Sequence, residues 1–423
     1  MFLKRVKVSD FRVLKDVDLT FEPEFTPNIY PLGSLNGGGK STLLQLIFTL
    51  LHCSFDESRH QYLVNLLSSS IKNKPDYFSL AEFEILHDNQ EFSLEFIIVK
   101  NGYENLNFDC FEQIRKLKNR IERLENDIAH SESLLTSNNY DYGYPDDGYP
   151  IVEELEHFNE HLHELQVEQT YTESKRNKII HHLNMQKLKY ITYISSGGVL
   201  SYKTTNDANF IKNISNKIYL ASPITQIFLF LSEMEKKSLF LSKTQENNYY
   251  FNVSEARENL TGLFTYDFAF INVIINAFIK ARDKDFAEAV ESNNYGNNLN
   301  NLKIGLNNFL AGKSITTNKE LSQVIFKLHN TDEVLFPEDL SHGELKKLAI
   351  YVWLKYHDIK DALILMDEIE IGLHPDWQYE IINELQEWSN NNQFILATHS
   401  YELCQALTPS HVKELEPKLI KEK

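Results

Sequence analysis

The sequence predicts an α/β fold interrupted by an antiparallel helical hairpin. Three observations carry that expectation. An apolar run stops at a glycine-rich loop and passes into a helix. A second apolar run ends in two adjacent carboxylates. Between them, residues 111–190 space their apolar side chains alternately three and four apart.

The elements follow in order. Leu3, Val6, Val8 and Phe11, then Val17, Leu19 and Phe21, alternate as in short strands joined by a turn. The apolar run Asn28–Leu32 stops at Gly33, and Leu43–Leu51 has helical character; alternation returns at Phe83–Ile85 and Phe92–Val99. From Phe111, Ile114, Leu117, Ile121, Leu124, Ile128 and Leu135 keep a heptad seam that only Ser131 breaks. Asn138–Pro150, with Gly143, Pro145, Gly148 and Pro150, reads as a turn. Ile151, Leu155, Phe158, Leu162 and Leu165 then resume the seam, with Ile179 and Leu183 in phase. The expectation is a coiled-coil hairpin whose limbs, about 25 residues each, reach roughly 35–40 Å. A strand at Ile191–Ile194 leads into Ser195–Gly198. Residues 208–335 read as helical, with buried helices at Ile218–Leu231 and Phe264–Ile279 and with eight asparagines between Asn293 and Asn308 as loop or cap. From Leu340 the chain is α/β again, with apolar strands at Ala362–Met366 and Phe394–Thr398.

The 423 residues include 60 acidic and 42 basic side chains, a net charge of −18, and 42% are apolar. That composition excludes wholesale disorder, and the length allows two or three folding units. An acidic balance argues against a surface that grips nucleic acid all over. Cys53, Cys110 and Cys404 lie far apart, which suits a reducing cytoplasm rather than a disulfide framework or a cysteine zinc site. The charged start Met1–Lys7 lacks the apolar core of an export signal, and no apolar run is both long and uncharged enough to span a bilayer. A cytoplasmic protein without membrane contact is expected. The charge is also localised: Thr136–Ser174 holds ten acidic residues and no Lys or Arg. The outgoing limb supplies Arg115, Lys116, Lys118, Arg120 and Arg123. The hairpin tip would repel a phosphate backbone and reads as a protein-docking arm.

Four stretches carry chemistry. In Ser34–Thr42, Asn36 precedes Gly37, Gly38 and Gly39, whose backbone N–H groups can converge on a polyphosphate without Cβ obstruction. Lys40 would reach the β- and γ-phosphates and Ser41 would bind Mg²⁺, with Thr42 opening a helix aimed at the same anion. Ser34 stands where this loop pattern has its first glycine, with Gly33 one place early. The strand Ala362–Met366 delivers Asp367 toward the metal and Glu368 toward the γ-phosphate as general base. Ser341 and Glu344 form a capping box; the sharper reading makes Ser341, Gly343 and the helix terminus an anion site. His399 ends a strand where it can sense that phosphate.

The order of these motifs resembles the ATP-binding-cassette ATPases, closest to the branch of SMC and RecF proteins and their single-chain antiphage relatives. The resemblance covers about residues 1–100 and 335–405. It implies an α/β P-loop NTPase head of the ABC/SMC type with an inserted short antiparallel coiled-coil hairpin. The chain then divides into an N-terminal lobe (1–110), hairpin (111–190), helical part (191–335) and C-terminal lobe (336–423). Two heads would sandwich two ATP·Mg²⁺, Ser341 and Gly343 of one facing the nucleotide on Lys40 of the other, in a homodimer or larger assembly. Arg12 resembles the family's phosphate-contacting arginine. Glu370 and Leu373–Pro375 resemble the D-E-x-E-x-x-L-H-P run of defence members. By resemblance to Septu, retron-associated Septu-like and PARIS ATPases, the chain would control a separate effector nuclease docked at or near the hairpin. The alternatives are a repair ATPase whose heads clamp DNA and an ATP-stabilised scaffold with little turnover. Two features depart from the family pattern. Gln90 and Gln113 are both open candidates for its linking glutamine, and the hairpin tip lacks a zinc-hook C-x-x-C. His157, His161 and His163 sit among glutamates on a solvated face rather than in a metal site, and no nuclease cluster or appended nuclease domain is expected.

Overall fold

Strands β1 (Phe2–Phe11) and β2 (Leu14–Thr20) form the expected antiparallel pair, with Val8 opposite Val17. In this computed structural model the described residues are 1–71, 73–137, 149–194, 197–238, 246–266, 270–310, 312–318, 320, 323–331, 333–357 and 359–415. They divide into two units. The first comprises Met1–Leu66, Leu80–Glu95 and the chain from Thr204; the second comprises Leu67–Ser79 and Phe96–Lys203.

In the first unit, β3 (Ile29–Gly33) ends at the glycine loop, and α1 (Lys40–Phe48) follows. After a π-helical turn at Thr49–Cys53 comes α2 (His60–Leu67). Strands β4 (Tyr77–His87) and β5 (Gln90–Lys100) run through both units; in the first, β1 pairs antiparallel with β4, Val6 opposite Phe83.

The second unit holds α3 (Asp109–Ser137) and α4 (Tyr149–Met185), then β6 (Lys189–Ile194) and β7 (Gly198–Thr204), an antiparallel pair. Leu117, Ile121, Leu124 and Ile128 of α3 pack against Leu165 of α4, with Leu155, Phe158 and Leu162 half-buried beside them. This is the antiparallel hairpin the heptads predict. Ser131 is buried within the seam. The hairpin tip at 138–148, with Asp141, Asp146 and Asp147, and Ser195–Ser196 lie outside the described residues, as do the side chains of Leu135 and Ile151.

The first unit then resumes with α5 (Ala208–Ser215), β8 (Ile218–Ser222), α6 (Glu233–Ser238), α7 (Glu246–Asn259), β9 (Leu263–Thr265), α8 (Phe270–Ser292) and α9 (Asn298–Asn307). Next come β10 (Lys313–Thr317), β11 (Val324–Leu328), β12 (Val334–Leu335), α10 (His342–Tyr356), β13 (Leu363–Asp367), α11 (Pro375–Trp388), β14 (Gln393–Ala397), α12 (Tyr401–Gln405) and β15 (Lys413–Glu414).

Six of these strands form one sheet in the order β15-β3-β14-β13-β8-β9, with every neighbouring pair parallel. Parallel strands covered on both faces read as unbroken apolar runs. Leu363–Asp367 and Gln393–Ala397 are accordingly buried throughout. The helical reading of 208–335 is corrected: its described residues hold five strands, β8 and β9 in this parallel sheet and β10, β11 and β12 in an antiparallel one. Ile218–Leu231 is not a helix: its first five residues are the interior strand β8, followed by Pro223 and a 3₁₀ segment at Ile224–Phe230. Phe264–Ile279 is likewise strand β9 and then α8, with Asp267 outside the described residues. A short apolar run cannot declare its period when every side chain is buried.

The asparagine-rich stretch forms α9 because Leu302 and Leu306 reach the core and Asp285 accepts the N–H groups of Asn298 and Leu299 at its start. Beneath the parallel sheet, Trp353 of α10 stacks on Phe264 at 4.7 Å in a core shared with Ile364, Met366 and Leu385. Among the described residues no helix is long and apolar enough to cross a membrane.

Candidate active site

Parallel strands bring their carboxyl ends to one edge, where α/β sheets bind ligands. At that edge β3 delivers the glycine loop, adjacent β14 delivers His399, and β13 on its other side delivers Asp367. The loop closes with the Gly38 N–H donating to Leu35 O at 3.0 Å. Gly37 and Gly39 have φ of 79° and 93°, backbone that residues with a Cβ rarely adopt. A Cβ on Gly38 would lie 2.3 Å from Ser34 Oγ, so the serine that departs from the pattern fills the space this glycine leaves. Gly39 is approached by Val13 and Leu14 from the β1–β2 turn.

Lys40 is 5% exposed. Its ammonium donates to Ser34 O at 3.1 Å and Ser34 Oγ at 3.2 Å, and lies 3.4 Å from His399 Nδ1. Burial lowers its pKa, while Glu370 and Asp367 act to raise it. Ser41 Oγ donates to Asp367 Oδ1 at 2.9 Å. Asp367 is 2% exposed, and burial pushes its pKa up to about 7; the Ser41 hydrogen bond opposes this, Glu368 and Glu370 add to it, and Lys40 opposes it. Asn36 is exposed and Thr42 half-buried in the first turn of α1.

Glu368 is half-buried with φ 53°, a left-handed backbone that costs on the order of 1–3 kcal/mol in a non-glycine residue. The turn is held from outside. Lys346, not anticipated from the sequence, donates from Nζ to Glu368 O at 2.9 Å and Ile371 O at 3.1 Å and lies 4.0 Å from the Tyr266 ring centroid. Beyond it, Leu373 is buried, His374 caps α11 and Pro375 takes its first position.

Ser341 and Glu344 form the full capping box of α10. The Glu344 carboxylate also accepts from Lys313 Nζ at 2.7 and 3.0 Å, which with the box outweighs its burial and lowers its pKa. Ser341 itself is exposed. Gly343 is buried: a Cβ there would lie 2.6 Å from Gly372 O, so this glycine permits α10 to pack on the turn after Glu368. Among the described residues no hydrogen bond joins Ser341 or Gly343 to Lys40. Arg12, at φ 53°, donates to Leu66 O at 3.1 Å and is half-buried, which lowers its pKa. Gln90 opens β5 and Gln113 is exposed on α3. Gln226, in the segment expected to be helical, accepts from Gln45 Nε2 of α1 at 2.5 Å. Glu370, legible only as part of the carboxylate-rich run, accepts the His399 N–H at 2.6 Å. Among the described residues no three His, Cys, Asp or Glu side chains group as a metal site, and His161 sits 3.7 Å from Glu164.

Residues 35–405 match the family described as "AAA domain, putative AbiEii toxin, Type IV TA system". The chain belongs to this AAA-domain family. It is similar to the "Retron Vc95 probable ATPase" of Vibrio cholerae serotype O1 biovar El Tor, 23% identical over 431 residues, covering 97% of this chain and 73% of that protein. A shorter match, 40% identical over 51 residues, links it to the "Retron Ec83 probable ATPase" of Escherichia coli; it spans 12% of this chain and 9% of that one. Among solved structures it is similar to the "SMC head domain from Thermotoga maritima", at TM-score 0.41 and 10% identity, covering 96% of this chain and 92% of that one. It is also similar to a Pyrococcus yayanosii Smc head with a coiled coil and joint, at TM-score 0.36 and 11% identity, covering 96% and 93%. Family membership and relatives named as ATPases make the chain an AAA-family ATPase.

Proposed function

We propose that this ATPase is the nucleotide-driven regulatory subunit of an antiphage complex of the retron-associated type, controlling a separate effector nuclease. The observation that carries its chemistry is the meeting of Lys40, the Ser41–Asp367 pair and His399 at the ends of β3, β13 and β14. The near full-length likeness to a retron ATPase supports the setting. Its finer kind would be that of the Septu, retron-associated Septu-like or PARIS ATPases.

The glycine-loop N–H groups and Lys40 bind the triphosphate, which draws Lys40 away from Ser34. The oxygens of Ser41 and Asp367, already 2.9 Å apart, suit a hard cation, and Mg²⁺ bound there supplies charge neutralisation of the phosphates. Glu368 takes a proton from the attacking water, a contribution of about 10²–10⁴-fold, while His399 faces the γ-phosphate. Arg12 serves as a phosphate contact only after leaving Leu66 O. Ser341 and the start of α10 face the nucleotide of a second copy; Glu344 acts there as the cap, and Gly343 as the residue that lets α10 approach its own catalytic turn. In this reading the chain divides into lobes and hairpin at 110, 190 and 335.

A DNA clamp is the weaker reading. The basic residues of β1 are committed: Lys4 pairs with Glu91, Arg5 with Asp18 and Glu84, and Lys7 with Glu82. The sharing of sites is tested by mixing inactive Lys40→Ala and Ser341→Arg subunits. One intact composite site should return ATPase activity when subunits exchange; no return under exchange contradicts it. The regulatory claim is tested by purifying wild-type or Glu368→Gln protein together with whatever it binds in its host and assaying that complex for nuclease activity with and without ATP. Nuclease activity indifferent to ATP state would sink it.

A further inference from the structure

We propose that Glu370 is a positioning residue that sets His399 against Lys40, and that its second oxygen receives a water brought in with the nucleotide. Glu370 is 8% exposed, on the turn that follows the catalytic strand. Its Oε1 accepts the His399 backbone N–H at 2.6 Å, across from β13 to the end of β14. The backbone there is fixed on both sides, with Glu370 O accepting from Leu373 N at 3.0 Å and Ala397 O accepting from Glu368 N at 2.9 Å. The carboxylate is therefore the side-chain tie between the turn carrying Glu368 and the loop carrying His399, whose Nδ1 sits 3.4 Å from Lys40 Nζ.

Glu370 Oε2 is buried and, among the described residues, accepts no hydrogen bond. A buried carboxylate oxygen left bare is costly, and such an orphan marks a site whose partner arrives with a ligand. The charge of Glu370 is felt by both Lys40 and Asp367, so this oxygen belongs to the phosphate and metal end of the site. Mg²⁺ keeps several of its waters, and those waters are donors in search of carboxylate oxygens. The inference rests on the ATPase reading above.

Glu370→Gln keeps an oxygen for the His399 N–H and loses the charge; Glu370→Ala loses both. Ties of this kind cost about 10–100-fold when cut. Turnover should fall about tenfold in Glu370→Gln and about a hundredfold in Glu370→Ala, with ATP dissociation constants within about threefold of wild type. In a His399→Ala background Glu370→Ala should cost only about the tenfold that Glu370→Gln costs, because the rest of its effect passes through that imidazole. Independently of turnover, the His399 ring resonances in NMR spectra should shift and broaden in Glu370→Ala and return in Glu370→Gln. Additive losses, or His399 resonances indifferent to Glu370→Ala, would overturn the proposal. Wild-type protein without turnover would instead count against the ATPase reading, and the spectra would still decide the role of Glu370.

Discussion

Asp367→Asn should stabilise the nucleotide-free protein at pH 8 while removing the carboxylate proposed to hold Mg²⁺. Asparagine keeps an oxygen for the Ser41 hydroxyl, 2.9 Å away, and removes only the charge. Burial and the nearby Glu368 and Glu370 hold the folded-state pKa at about 7, against 3.8 for the ordinary side chain. Between those values the folded chain keeps a proton the unfolded chain has released, so stability falls as pH rises. Above pH 7 the whole cost is present, on the order of 4 kcal/mol at 1.36 kcal/mol per pH unit. An unfolding entropy of about 2.1 cal/mol/K per residue gives about 0.9 kcal/mol/K for a chain this size, and thus a melting-temperature gain of roughly 4–5 °C at pH 8. Thermal unfolding followed by circular dichroism between pH 4.5 and 8 in EDTA reads the difference, which should shrink toward zero at the acid end. Adding Mg²⁺ and ATP should raise the wild-type transition and leave the variant unmoved. Equal transitions at pH 8, or a less stable variant, would refute the reasoning.

The remaining predictions concern packing around the same site. Gly38→Ala drives a Cβ into Ser34 and should lower the melting temperature and ATP affinity; Ser34→Gly in the same chain should restore the melting temperature, and no restoration would show that the clash lies elsewhere. Gly343→Ala meets the Gly372 backbone and should cost about 1–3 kcal/mol in denaturant unfolding, a cost that an unchanged midpoint would deny. Glu368→Gln should bind ATP with near-normal affinity and hydrolyse it at least about a hundredfold more slowly; normal single-turnover rates would remove Glu368 as the base.

What the sequence disclosed and what it hid follow one physical line. The loop at Ser34–Thr42 was legible as structure because an apolar strand stops at it, Gly37 and Gly39 take positive φ and a helix follows. The hairpin was legible because a single exposed-to-buried seam at Leu117, Ile121, Leu124 and Ile128 writes its period into the chain. Strand β8 left no such record, since Ile218–Ser222 contributes to an all-parallel sheet and has no polar face to alternate with. Site partners brought in by tertiary packing were hidden for a different reason. Lys346 reaches carbonyls more than twenty residues away, and Glu370 reaches a backbone N–H in the loop after a neighbouring strand; neither contact leaves a spacing in the chain. Gly343 carries a packing role beside the phosphate contact expected of it. Its Cβ space is taken by Gly372 O, which only packing reveals.

The central claim is that Lys40 and its loop hold ATP. Equilibrium titration of wild-type and Lys40→Ala protein with ATP and Mg²⁺, by calorimetry, measures it most directly. The wild-type chain should bind one ATP per copy, and Lys40→Ala should weaken binding by roughly a hundredfold or more, the loss expected of a buried charge-assisted contact to phosphate. An ATP affinity unchanged by Lys40→Ala would contradict the account.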